Sequence, residues 1–131
     1  MSYDISLYAR GFLKRAIEDK LGDWTDADPI PPAAVEDLVT LARASGFESV
    51  VAGPNFVEFC REQGVAPPDE FALDTPAFLA HLSLHSGQLA FSIPYSPRAE
   101  ASIALCADLA RTAANRHDLA FHDPQEGVAD Y

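Results

Sequence analysis

The sequence predicts an α+β domain whose strands form one antiparallel sheet. Two alternating apolar and polar runs, joined by a glycine-containing turn within 78–95, carry most of that reading. Shorter alternating runs at 3–8 and 118–122 add two more strands, and three stretches of helical periodicity lie between them. With 131 residues and 48% hydrophobic content, the chain is expected to form one domain, 1–131. Folding at that size buries roughly two-thirds of the unfolded surface, so no staples are needed.

In chain order, Tyr3, Ile5 and Leu7 alternate with Asp4, Ser6 and Tyr8, the pattern of a half-buried strand. Phe12, Leu13, Ala16, Ile17 and Leu21 then follow helical spacing, with Gly22 ending the helix. On its polar side Lys14 and Glu18, and Arg15 and Asp19, form four-apart pairs. Asp28, Pro29, Ile30, Pro31 and Pro32 make a stiff connector into a second helix, since proline is tolerated in a first turn. Val35, Leu38, Val39 and Ala42 form its stripe, and Gly46 suits its C-terminal cap. Within 47–68 the pattern is weak, and periodicity does not decide between helix and strand for 56–61.

Phe78, Ala80, Leu82 and Leu84 form the inward set of the first hairpin strand, and Leu89, Phe91, Ile93 and Tyr95 that of the second. Ser86 and Gly87 supply the turn. Ser96 and Pro97 are expected to open a helix as N-cap and first residue. Its alanines (Ala99, Ala107, Ala110, Ala114), with Ile103 and Cys106, allow close approach to a sheet, while Leu105 and Leu109 point to a second contact. Leu119 and Phe121 face inward on the last strand. The order is βαββαβ with an extra helical insertion. It predicts a ferredoxin-like sandwich, an antiparallel sheet with helices on one face. Asp4, Ser6, Tyr8, His81, Ser83, His85, Ser92 and His122 then make the other face polar and open to solvent or a partner.

Twenty acids against nine bases give a formal charge of −11. The surplus gathers in base-free stretches: Asp23, Asp26, Asp28, Glu36 and Asp37 within 21–42, and Glu62, Asp69, Glu70 and Asp74 within 62–97. Asp118, Asp123, Glu126 and Asp130 repeat it near the end. Such a surface repels nucleic-acid phosphates and anionic lipid, and it attracts basic protein. Solubility alone is the plainer reading. The first residues lack the basic cluster and apolar stretch of an export signal, and no apolar run is long enough to cross a bilayer. Cys60 and Cys106 stand among apolar neighbours and read as buried free thiols, so a cytoplasmic location is expected.

No motif assembles a reaction centre. His81 and His85, four apart on a strand, would sit about 13 Å from each other, and His122 about 14 Å from His81 across three strand spacings. No metal and no cofactor are expected. Ser83 lies between two histidines in sequence, but side chains two apart on a strand run parallel and do not converge as a triad. Gly46, Gly53 and Gly64 are too dispersed for a phosphate loop. Trp24, beside Asp23 and Asp26, reads either as a lid on the core edge or as an aromatic anchor ringed by acids.

The segments Ser2-Tyr3-Asp4-Ile5-Ser6-Leu7, Leu89-Ala90-Phe91-Ser92-Ile93-Pro94-Tyr95 and His122-Asp123-Pro124-Gln125 resemble framework strands of small acidic bacterial proteins. A number of those are immunity proteins of polymorphic toxin systems. The resemblance implies a non-enzymatic neutraliser of a cognate toxin, basic where the toxin is a nuclease, and it transfers no functional residue. Charge and the tryptophan place the expected contact at Trp24, Asp26, Asp28, Glu36 and Asp37. Two other classes stay open. One is a small cofactor-free enzyme using the open sheet face, with a homodimer allowed. The other is a regulatory protein-interaction module that adds a partner strand along 81–85 or the closing strand.

Overall fold

Alternation in the hairpin places its side chains as expected except for Tyr95, which was expected inward but follows the end of the strand at Pro94 and is 54% exposed. Strands β4 (Leu79–Leu84) and β5 (Leu89–Pro94) pair antiparallel, with Leu82 opposite Phe91 and Leu84 opposite Leu89. His85 N–H donates to the Gln88 carbonyl at 2.8 Å and closes the turn of Ser86 and Gly87. Leu82, Leu89, Phe91 and Ile93 are fully shielded from solvent, and Phe78 and Leu84 pack half-buried against the same core. The computed structural model describes residues 2–19, 27–51 and 53–130.

The first strand, β1 (Ser2–Ala9), is central: it pairs antiparallel with β5 on one side and with β6 (Leu119–Asp123) on the other. Since β1 opposes β5 and β5 opposes β4, β1 and β4 run the same way, and so do β5 and β6. Helix α4 (Ala99–His117) makes the second crossover, with Cys106, Ala110, Ala113 and Ala114 facing the sheet core. It starts later than the sequence signal suggests. Ser96 accepts from Arg98 N–H on its hydroxyl and from Ala99 N–H on its carbonyl, which makes 96–98 a turn leading into the helix. Helix α2 (Pro32–Ala44) lies against α4, supplying the second contact that Leu105 and Leu109 called for.

Four strands do not complete the sheet. The weakly patterned region supplies β2 (Glu48–Val50), helix α3 (Pro54–Glu62) and β3 (Asp69–Asp74), and the chain closes with β7 (Val128–Asp130). Among the described residues the sheet has seven strands in the order β2-β3-β4-β5-β1-β6-β7, with antiparallel neighbours throughout. β3 carries the ordinary strand signature, Phe71 and Leu73 inward between Glu70, Ala72 and Asp74. It is short and flanked by prolines and acids, which hid it. The consequence is topological: β4 and β6 are interior strands. Segment 81–85 and the strand at 119–123 are therefore not edges open to strand addition.

Helices do not all share one face, which corrects the simple sandwich. Buried residues of α2 and α4 cluster with Tyr3, Ile5, Leu7, Phe91 and Phe121. Phe12, Leu13 and Ala16 of helix α1 (Phe12–Glu18) cluster instead with Tyr8 and Ala120, which are cross-strand partners. Successive strand residues point to opposite faces, so Tyr8 and Ala120 lie on the side away from Leu7 and Phe121. α1 covers that second face. Tyr8, expected on the polar face, buries its ring there, and only its hydroxyl needs a partner. Gln88 Nε2 donates to that hydroxyl at 2.8 Å and to Ser6 Oγ at 3.2 Å. Arg15, expected opposite Asp19, bonds Asp28 instead at 2.7 Å. Among the described residues no helix is long and apolar enough to cross a membrane.

Candidate functional site

Of the acids expected to form a contact face, the structure describes Asp28, Glu36 and Asp37, and two of these are engaged by bases of the same chain. Asp28 is exposed and held by Arg15 of α1. Glu36 is exposed on α2, and its neighbour Asp37 turns toward α4, half-buried. There the Asp37 carboxylate accepts from Arg116 at 3.2 Å and meets His117 Nε2 at 2.9 Å. The His117 hydrogen bond, with Arg116 beside it, holds this carboxyl below the usual aspartate range. Asp37 therefore braces two helices. Trp24 and Asp26, the other expected contacts, lie outside the described residues, as do Leu21 and Gly22 of the expected first helix.

On the second sheet face, the expected open polar surface is only partly open. Ser6 and Tyr8 are buried, and burial pushes the Tyr8 phenol up. His81 and His85 are exposed, while His122 is half-buried with its ring 6.2 Å from that of Tyr8. Burial lowers the His122 pKa, opposed by the charge of Asp123. β5 and β1 separate β4 from β6, so His81 and His122 stand three strand spacings, about 14 Å, apart. Ser83 donates to Glu70 of the neighbouring strand at 3.4 Å. Among the described residues no three of His, Cys, Asp and Glu gather closely enough to hold a metal ion. Both cysteines are buried free thiols, and burial pushes Cys106 up to about 12, a protonated and weakly nucleophilic group.

A different surface emerges around α3. The described residues include six large hydrophobic side chains that remain exposed, and five fall between 50 and 65. They are Val50 at 40%, Val51 at 97%, Phe56 at 41%, Phe59 at 56% and Val65 at 56% exposed. Elements explain the placement. Pro54 sits in the first turn of α3, and Gly64 at φ 71° ends it, with Gly64 N–H donating to the Arg61 carbonyl and Val65 N–H to that of Cys60. That bond pair is a Schellman cap. On the helix, Phe56, Phe59 and Cys60 share one side by their three- and four-residue spacing. Only Cys60 of the three is buried.

The sheet margin precedes α3 in the chain. β2 is an edge strand, all three of its residues are exposed, and its outer side faces no other strand among the described residues. A groove of about 420 Å³ runs along it, lined by Arg43, Val50, Pro67, Glu70 and Phe71 among others. Arg43 spans the groove's inner wall, its guanidinium 5.3 Å above the Phe71 ring and bonded to Ser49 Oγ at 3.1 Å. Within 48–70 the acids are Glu48, Glu58, Glu62, Asp69 and Glu70 and the base is Arg61, which pairs with Glu58 at 3.0 Å; Arg43 adds a second positive charge at the groove. Net charge along the sequence does not mark exposed phenylalanines. The available signal was the spacing of Phe56 and Phe59 with acids on the other side of the same turn. Comparison with protein-family models, with curated proteins and with solved structures found no match to this chain.

Proposed function

We propose that this chain is a non-enzymatic binding protein, an immunity-type neutraliser of a cognate bacterial toxin acting in the cytoplasm. One observation carries the reading: a surplus of acid that the chain does not compensate for itself. Of its nine lysines and arginines, six are engaged by acids of the same chain in described ion pairs. The remaining surface presents carboxylates with few counter-charges. That field speeds encounter with a basic protein and disfavours nucleic acid and anionic membrane as direct partners.

We read the scaffold as ferredoxin-like. Support comes from the order β4-β5-β1-β6, in which two same-direction strand pairs are connected through helices around one hairpin. β2, β3, α3 and β7 are then additions to that core, and additions of this kind are where function is grafted onto a common framework. Resemblance of the framework strands to those of immunity proteins supports the toxin as partner class. Co-expression with the product of the adjacent gene tests the reading. That product should arrest growth alone, and this chain should restore it. A harmless neighbour, or killing undiminished by this chain, overturns the proposal.

A further inference from the structure

We infer that the exposed apolar side of α3, with the β2 edge that precedes it in the chain, receives a basic protein partner that presents apolar side chains ringed by lysine or arginine. The inference rests on the binding role proposed above and moves its contact away from 24–37. Soluble proteins scatter single exposed hydrophobics, whereas here five of the six described ones crowd into sixteen consecutive residues. Phe56 and Phe59 are aromatic anchors one turn apart on one side of a helix, and Val51 and Val65 are exposed just before and just after it in the chain. The Schellman bonds at Gly64 hold Val65 back toward the last turn.

Charge selects the occupant. The 48–70 segment carries five acids and one base, and that base is already paired. A second copy would bring the same surplus against itself. A bilayer with anionic headgroups meets the same repulsion. A basic protein with an apolar centre matches both features, apolar groups toward the two phenylalanines and cations toward Glu48 and Glu62, which have no described ion pair in the chain.

The test uses the full chain and defined probes: a helical peptide of leucine and lysine at amphipathic spacing, its leucine–glutamate counterpart, and a lysine peptide without leucine. Wild-type protein should bind the leucine–lysine peptide, read by fluorescence anisotropy, in preference to both others. The double variant Phe56→Ser, Phe59→Ser should weaken it by roughly tenfold or more. Glu48→Gln with Glu62→Gln should weaken it roughly threefold at low salt, with the difference closing at high salt. Tyr95→Ser and Glu36→Gln, away from this surface, should leave it unchanged. Hydrogen exchange should show protection by the peptide confined to 48–65. Exposed serines leave the core untouched, and an unchanged thermal melt confirms that the variant folds.

Failure of the wild type to bind, equal binding of the leucine-free peptide, or undiminished binding by the phenylalanine variant overturns the inference. So does a dimer in sedimentation at high salt that the phenylalanine variant abolishes, because the occupant is then a second copy. The two readings separate in cells. If the phenylalanine variant still neutralises the adjacent gene product fully, the binding role stands and this surface does not.

Discussion

Helices α2 and α3 are built on the same local plan and end in opposite environments. Each has proline in its first turn and a glycine just past its end, Gly46 at φ 106° and Gly64 at φ 71°. Each closes with the same bond pair, Phe47 N–H to Ala42 and Gly46 N–H to Arg43 in α2, as in α3. Phe47, after the first glycine, is 2% exposed, and Val65, after the second, is 56% exposed. α2 buries Ala34, Leu38 and Ala42 between α4 and the sheet, whereas α3 buries Cys60 alone. Capping signals thus set where a helix starts and stops. What covers its apolar side is decided by neighbours far away in the chain. Where the described residues supply none, as at Phe56 and Phe59, that side keeps its exposure.

The largest expected effect separates the two environments directly. Phe91→Ala, at the centre of the core beside Phe47, should cost about 3–5 kcal/mol in urea unfolding, while Phe59→Ala, more than half exposed, should cost about 1 kcal/mol or less. Equal losses would mean that α3 is packed as α2 is, and the comparison would break. Ser102→Ala should come next. This fully buried hydroxyl accepts from Leu79 N–H at 2.9 Å and donates to the Arg98 carbonyl at 2.7 Å, joining α4 to the start of β4. Its removal leaves a buried amide without an acceptor and should cost about 1–3 kcal/mol by the same unfolding measurement.

The two capping glycines sharpen the contrast further. Alanine at either position is strained by about 1–2 kcal/mol because φ is positive. At Gly46 an added Cβ also meets Leu73 Cδ1 at 3.1 Å, and at Gly64 it meets open space. Gly46→Ala should therefore lower the melting temperature more than Gly64→Ala, and the reverse order would contradict the packing described.

Smallest is Asp37→Asn, which loosens α2 from α4. The folded carboxyl has a lowered pKa, so its stabilisation is complete above the unfolded aspartate value of about 3.9 and fades as pH falls through the folded one. Denaturation midpoints of the variant and wild type should differ at neutral pH and converge in acid. A gap that persists at low pH would show that the charge is not what matters there.

Legibility in the sequence followed the range of each signal. The hairpin was readable because Leu82, Phe91 and Ile93 alternate strictly and their turn is local. β3 and β7 were not, since six and three residues beside prolines and acids offer too little pattern to separate strand from loop. The side chosen by α1 was hidden in Tyr8, an aromatic ring that buries its body once Gln88 satisfies its hydroxyl. The acid surplus was plain. Its bearing on a site was not, because Asp28 and Asp37 are taken up by Arg15, Arg116 and His117 from other elements.

By itself the amino-acid order determined the hairpin, the alanine-rich helix that crosses it, and the net charge of −11. Periodicity of two or 3.6 and the sum of charges need no knowledge of distant residues. Only the tertiary structure decided that β4 and β6 are interior, that α1 lies on the second face, and that Phe56 and Phe59 stay about half exposed. Each of these depends on which surface another part of the chain comes to occupy, and burial is a property of that meeting.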